Sequence, residues 1–308
     1  MKKTEVKSIL QYDGEVESVE CCALCDSTSY KVDALFSQKL GLIAPFECKR
    51  CTQCGLRWLS PRPTQNGYEQ IYTMDNYFGG EHSEENYSTV VKTRKLLFRE
   101  RLKEISRYST ITDRPKTILD IGAATGEFVY EAKCNGYDAI GIEFSSDARQ
   151  QAKEIYSINL YENSLEELFA KGYRFDIIHM NHVFEHVLNP NACLQECNNL
   201  LTKNGLLVIE VPQQFLNDLD RLKKILNMNK KPAFTPYSLH HTYFYTPKTI
   251  TLLLKKHSFA IFRLGTANLA NTPLWPLSFK NSVLAIYLSL SDKIHRGGNI
   301  IEVFAQKM

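Results

Sequence analysis

The sequence has no apolar run of the roughly 18 residues that a membrane-spanning helix needs, and its longest candidate, residues 283–290, is far too short. The opening MKKTEVKSILQYDGEVESVE carries lysines but no apolar core of the kind that marks a signal peptide, so no export signal is expected. Neither charge sign dominates. Lys plus Arg number 37 and Asp plus Glu 34, a net charge of +3, which argues against a strongly basic nucleic-acid-binding surface. What is present suits a globular protein. Hydrophobic residues make up 44% of 308 positions, enough for one large α/β domain and a smaller module. Six of the nine cysteines precede residue 55, clustered as CxxC pairs. Without an export signal that clustering favours metal ligation over disulfides, and a reducing, cytoplasmic location is expected.

Cys22-Ala-Leu-Cys25 and Cys51-Thr-Gln-Cys54-Gly55 form two knuckles with 25 residues between them. A two-residue spacer lets both thiolates of a knuckle face one metal, and four thiolates close a tetrahedron, so a structural zinc is expected. Cys21 and Cys48 are spare thiols beside this set. Arg57-Trp-Leu-Ser-Pro61-Arg62-Pro63-Thr64 reads as a proline-rich exit that stops regular structure. An aromatic segment with Tyr68, Tyr72, Tyr77 and Phe78 follows. Residues 84–108 place Val90, Val91, Leu96, Leu97, Leu102 and Ile105 at helical spacing, which predicts an amphipathic helix with its lysines and arginines on a solvated face. The expected division is a zinc-ribbon-like module over 1–65, a helical linker over 66–112 and a main domain over 113–308.

From Thr117 onward strand and helix patterns alternate. Strands are predicted at 117–121, 138–143, 159–161, 175–181 and 206–211, and helices at 146–156, from Ser164 and at 190–201. This rhythm predicts a doubly wound parallel sheet, whose ligand sits at the carboxyl ends of the strands. The first strand runs into Gly122-Ala123-Ala124-Thr125-Gly126. The turn lacks the middle glycine through which a nicotinamide fingerprint admits a pyrophosphate. It offers instead Asp120, suited to a ligand's ammonium, and Glu143, 23 residues on, suited to a ribose diol. Asn163-Ser164-Leu165 is placed to meet an adenine. Together these fit S-adenosylmethionine (SAM).

Asp120-Ile-Gly122-Ala-Ala-Thr-Gly126 resembles the D-x-G-x-x-x-G motif of class I SAM-dependent methyltransferases, and Glu143 matches their acidic ribose-binding residue. Phe175-Asp-Ile-Ile…His182-Val-Phe-Glu185-His186-Val is similar to the fourth-strand motif of a large bacterial branch. There a two-knuckle zinc module, a Pro-Arg-Pro exit and an Asp-x-Tyr-Phe segment precede the catalytic domain, an order that residues 22–78 match. His241-Thr-Tyr-Phe-Tyr-Thr-Pro247 resembles a later motif of the same branch. The resemblance implies a seven-stranded Rossmann-like sheet whose last strand, near 299–306, is antiparallel. It implies SAM as cofactor, with candidate contacts at Asp120, Gly122, Ala123, Gly126, Glu143, Phe144, Ser164, Leu165 and Asn181. It also implies methyl transfer to a small molecule such as a sugar or nucleotide-sugar.

For an acceptor that must lose a proton, histidine is the natural base near neutral pH. His241 is the first candidate, and His182 and Tyr77 are expected beside the acceptor. His179 reads as a packed strand residue, and Glu185-His186 as a cap on the next helix. His182 and His186 have the spacing of a metal pair but no third ligand in sequence. His240 stands where related sugar C-methyltransferases carry Glu, which favours O- or N-methylation over C-methylation. Residues 213–246 form an insertion rich in lysine and aromatics that reads as a cover over the acceptor or as a solvated loop. For residues 265–298, a homodimer contact and core packing are both open. One rival, an RNA methyltransferase, is opposed by the weak charge and by the absence of prolines after Asn181. A second, a non-catalytic scaffold, is opposed by the intact Asp120, Gly122, Gly126 and Glu143.

Overall fold

In the computed structural model, residues 14–71, 84–108, 114–214, 237–267, 290 and 298–308 are described. Tyr77, most of the 213–246 insertion and most of residues 265–298 lie outside them. The main domain is built on strands β6 (Thr117–Ile121), β7 (Asp138–Ile142), β8 (Phe175–Asn181), β9 (Leu201–Pro212), β11 (Phe259–Ala267) and β12 (Ile300–Lys307), in the order β11-β12-β9-β8-β6-β7. Strands β7, β6, β8 and β9 pair in parallel, and β12 runs antiparallel between β9 and β11. The seventh strand expected at 159–161 is reduced to a single bridge, Ile142 to Tyr161. Two backbone bonds, Glu143 N–H to Tyr161 O and Tyr161 N–H to Gly141 O, hold that edge.

Helices α4 (Glu127–Cys134), α5 (Ser146–Tyr156), α6 (Leu165–Ala170) and α7 (Pro190–Leu200) connect the parallel strands. Their starts follow local chemistry. Ser145 and Ser164 cap α5 and α6, the latter with the full Ser164–Glu167 capping box, and Asn189 caps α7 ahead of Pro190. Glu185-His186 therefore does not cap that helix, contrary to the sequence expectation. It sits in a turn closed by His186 N–H to Val183 O.

Helix α3 (Glu84–Tyr108) spans the predicted range and buries part of the predicted face. Leu102 and Ile105 are buried, whereas Leu96 and Leu97 are exposed. Arg101 is not solvated. It is 7% exposed and meets Glu210 at 2.8 Å, Glu302 at 2.5 Å and Glu104 at 3.1 Å. The helix crosses the sheet where Glu210 and Glu302 face each other in register on β9 and β12, and two carboxylates largely removed from water there require a cation.

The N-terminal module is a four-stranded antiparallel sheet of β2 (Tyr30–Val32), β3 (Glu47–Cys51), β4 (Arg57–Ser60) and β10 (Tyr243–Phe244). The last of these comes from the main-domain chain and pairs Tyr243 with Trp58 and Phe244 with Arg57. The proline-rich exit is strand rather than irregular chain. Trp58 is fully buried and donates Nε1–H to Val19 O, β5 (Arg62–Pro63) pairs with β1 (Val16–Glu17), and helices α1 (Ala34–Lys39) and α2 (Gln65–Ile71) follow β2 and β5. Arg62 also donates to Leu188 O at 3.0 Å, which ties the exit to the turn after β8. Cys22, Leu24, Leu56 and Trp58 share one core with Phe184, Tyr243 and Tyr245.

Candidate active site

The turn after β6 holds three residues at positive φ: Gly122 at 68°, Ala124 at 46° and Gly126 at 80°. Gly126 is the N-cap of α4, so the first N–H groups of that helix open onto the turn. A Cβ on Gly122 would lie 2.4 Å from Val183 Cγ2, so the glycine lets the segment after β8 close onto the turn. Glu143, at the end of β7, accepts from Ala124 N–H and Ser145 N–H, both at 2.8 Å. Burial holds its carboxyl above the usual range, and those amides work against the rise. Phe144 beside it is half exposed, while Ala123 and Leu165 are buried.

Two of the expected contacts are engaged inside the protein. Asp120 is buried, and its Oδ1 lies 2.7 Å from His179 Nδ1. The two residues are register partners on β6 and β8, and Phe128 stacks on the imidazole at 3.9 Å. Ser164 Oγ accepts from Glu167 N–H in the α6 cap. The turn glycines, Glu143 and the α4 amides thus stand together beyond the ends of β6 and β7, with Asp120 buried behind them. The donor set suits SAM: close approach at Gly122 and Gly126, and a carboxylate at the second strand end for a ribose.

Asn181 ends β8, and His182 follows with φ of 55°, an uncommon conformation for that residue type. The turn beyond carries a carboxylate to which sequence reasoning gave no role in the chemistry. Glu185 is 1% exposed, and neither of its oxygens has a hydrogen-bond partner. Its Oε1 lies 3.4 Å from His182 Nδ1, 3.7 Å from His186 Nε2 and 4.0 Å from His241 Nε2. His241 arrives because the next residues are bolted to the same turn: Thr242 N–H, Tyr243 N–H and Thr242 Oγ1 all donate to Glu185 O. Burial opposes ionisation of Glu185, but His186, His182 and His241 outweigh it and hold the carboxyl below its usual range. Burial and the neighbouring imidazoles press His241 down to about 3, so its ring is neutral near pH 7. The only signal for Glu185 in sequence was its place between His182 and His186; its third neighbour lies 56 positions away.

In the module the four knuckle sulfurs converge within 4.8 Å of one another. Cys22 and Cys54 are 3.4 Å apart, and Cys25 and Cys51 are 3.5 Å apart. Sulfurs on a tetrahedral zinc, with Zn–S near 2.3 Å, would be about 3.8 Å apart, so a small expansion accommodates the ion. Leu56 N–H points at Cys54 Sγ at 3.5 Å, after Gly55 at φ of 85°. Cys21 is exposed and Cys48 is buried elsewhere, bonded to Lys49 O, so neither belongs to the set. Among the described residues no helix is long and apolar enough to cross a membrane.

A family model described as a methyltransferase domain matches residues 93–264, more than half of the chain. The ubiquinone biosynthesis O-methyltransferase of Glaesserella parasuis is 36% identical over 104 residues, 30% of this chain and 44% of that protein. Its namesake from Cereibacter sphaeroides is 33% identical over 96 residues, 30% of this chain and 39% of that protein. The chain thus spans less than half the length of these curated relatives. A SAM-dependent methyltransferase structure from Archaeoglobus fulgidus superposes with a TM-score of 0.45 at 20% identity, over 72% of this chain and 99% of that one. The matched span runs from α3 through β11 and so takes in the glycine turn, Glu143 and the histidine cluster: this chain belongs to the methyltransferase-domain family.

Proposed function

We propose that the protein transfers the methyl group of SAM to an oxygen or nitrogen of a small molecule, and that the acceptor is a sugar, a nucleotide-sugar or a related biosynthetic intermediate. The observation that supports this reading is the contact between two sites. Val183 packs on Gly122, so the His182–Glu185–His186–His241 cluster begins one residue from the SAM turn, at the carboxyl end of β8. In a doubly wound sheet that is where a second substrate meets the first.

SAM supplies an electrophilic methyl group on a sulfonium. The protein's part is to align an acceptor in line with it and to ease the acceptor's proton away. His241, with His182 beside it, is assigned to the proton. Glu143 is assigned to the ribose, and Gly122, Ala123 and Gly126 to the backbone cradle. Tyr77 and the 213–246 insertion are assigned to the acceptor, with the lysines of the insertion suiting a phosphate. The four knuckle cysteines are assigned to a structural zinc, and the cytoplasm is the proposed compartment. The relatives named above are O-methyltransferases of ubiquinone biosynthesis by name, which supports oxygen as the methylated atom in this reading.

The test is His241→Ala. SAM affinity by calorimetry should stay within about threefold of wild type, while turnover falls by about 10²–10⁴, the usual contribution of a positioned acid–base group. Full turnover with the true acceptor would overturn the assignment. Absence of SAM binding by the wild-type protein would overturn the function itself.

A further inference from the structure

We propose that Glu185, His186 and His241 form a second metal site, which takes a divalent first-row transition metal such as zinc and leaves one coordination position open towards the acceptor. The inference rests on the methyl-transfer reading for the use of that open position, but not for the site itself.

Three observations carry it. The first is the buried carboxylate: Glu185 makes no close hydrogen bond, and its nearest partners are imidazole nitrogens at 3.4–4.0 Å. A buried carboxylate is costly unless it is closely paired or placed on a metal. The second is spacing. The ligand atoms of Glu185, His186 and His241 all lie within 4.8 Å of one another. Glu185 Oε1 stands 3.7 Å from His186 Nε2 and 4.0 Å from His241 Nε2, too far for hydrogen bonds. Two ligands on one tetrahedral zinc, each bonded at about 2.0–2.1 Å, are separated by about 3.3 Å, so a modest closing of the cluster seats an ion. The third is the outer shell. His186 Nδ1 lies 2.8 Å from the carbonyl oxygen of His240, to which it donates. The proton is then on Nδ1, and the Nε2 lone pair faces Glu185. Metal-binding histidines are held in this way, by a carbonyl on the far nitrogen.

Two histidines and one carboxylate with a fourth position open is the ligand set of catalytic rather than structural zinc. The cluster is partly open to solvent, with His241 21% and His186 17% exposed in their side chains. His182, 31% exposed and 3.4 Å from Glu185, flanks the open side. A hydroxyl of the acceptor bound there would lose its proton to solvent more readily, because the cation stabilises the oxyanion. His241 would then activate the acceptor as a ligand. The site is distinct from the four-cysteine set, which is closed.

The test is zinc stoichiometry of the full-length protein after exchange into excess zinc and desalting. Wild type should hold one equivalent per chain more than His241→Ala, and His186→Gln should reproduce that loss. Each variant must still bind SAM, which shows that it is folded. Equal zinc content in wild type and in a SAM-binding variant overturns the proposal. Cobalt substitution of the wild-type protein checks it without a variant. Thiolate charge-transfer bands report the cysteine set, and an additional cobalt equivalent with only weak d–d bands reports the new one. Uptake confined to the thiolate set overturns it. A wild type that gains the extra equivalent but does not bind SAM keeps the site and sinks the methyl-transfer reading instead.

Discussion

A methyl group at Gly122 has nowhere to go: φ is 68°, and Val183 Cγ2 sits 2.4 Å from where a Cβ would stand. Gly122→Ala should therefore cost about 1–3 kcal/mol through overpacking and a left-handed alanine. It should also weaken SAM binding, because relief of the clash moves the turn. Urea unfolding and SAM calorimetry measure both, and a variant as stable as wild type would contradict this account of the turn. Glu143 is pre-set at the same scale, because the N–H groups of Ala124 and Ser145 fix its carboxylate before any ligand arrives. This turn was readable in the sequence because its parts are contiguous or one strand apart. Glu185 was not, because what defines it is the arrival of His241, and the bonds that bring it, from Thr242 and Tyr243 to the Glu185 carbonyl, leave no periodic trace.

Strands and helices were legible where a local pattern decides them. The apolar runs of β6 and β8, the Ser and Asn caps of α5, α6 and α7, and the ends of α3 all follow from residues close in sequence. What the pattern concealed was that one arginine of α3 is buried with Leu102 and Ile105, because a basic residue reads as solvated until its tertiary partners are known. Arg101 belongs to the core on account of Glu210 and Glu302, strands away. Burial pushes the Glu210 carboxyl up, but Arg101 and then His179 outweigh it and hold it down at about 2. Its folded value lies below that of the unfolded chain, near 4.3. Its contribution to stability is therefore complete above about pH 4.3 and is lost as pH falls towards 2. Arg101→Met should leave Glu210 without its cation and Glu302 with Arg263 alone, 3.5 Å away, and cost about 3–5 kcal/mol near neutral pH. The deficit should shrink on acidification, as Glu210 takes up a proton in the variant at higher pH than in wild type. Denaturant unfolding between pH 7 and 4 reads this, and a deficit that is constant or grows would count against the network.

At the scale of the whole molecule, the cysteine-bearing module is not a bead on a linker. Its sheet is completed by Tyr243–Phe244 of the main domain, and Trp58 shares a core with Tyr243 and Tyr245. The two parts should melt together, in one calorimetric transition whose midpoint falls when zinc is chelated. A separate low-temperature transition that alone responds to chelation would show the module to be independent. The sequence signalled the knuckles but not this joint, because a two-residue strand has no period to detect.

That joint has a consequence for how the protein is made. The strand Arg57–Ser60 emerges from the ribosome long before Tyr243–Phe244, its partner on that edge. At about 5–20 residues per second, the interval is roughly ten to forty seconds. Throughout it a nascent chain carries an open sheet edge with Trp58 on it, the kind of surface that recruits other strands. Closure of that edge waits on synthesis of Tyr243–Phe244, and the same step delivers His241 to Glu185.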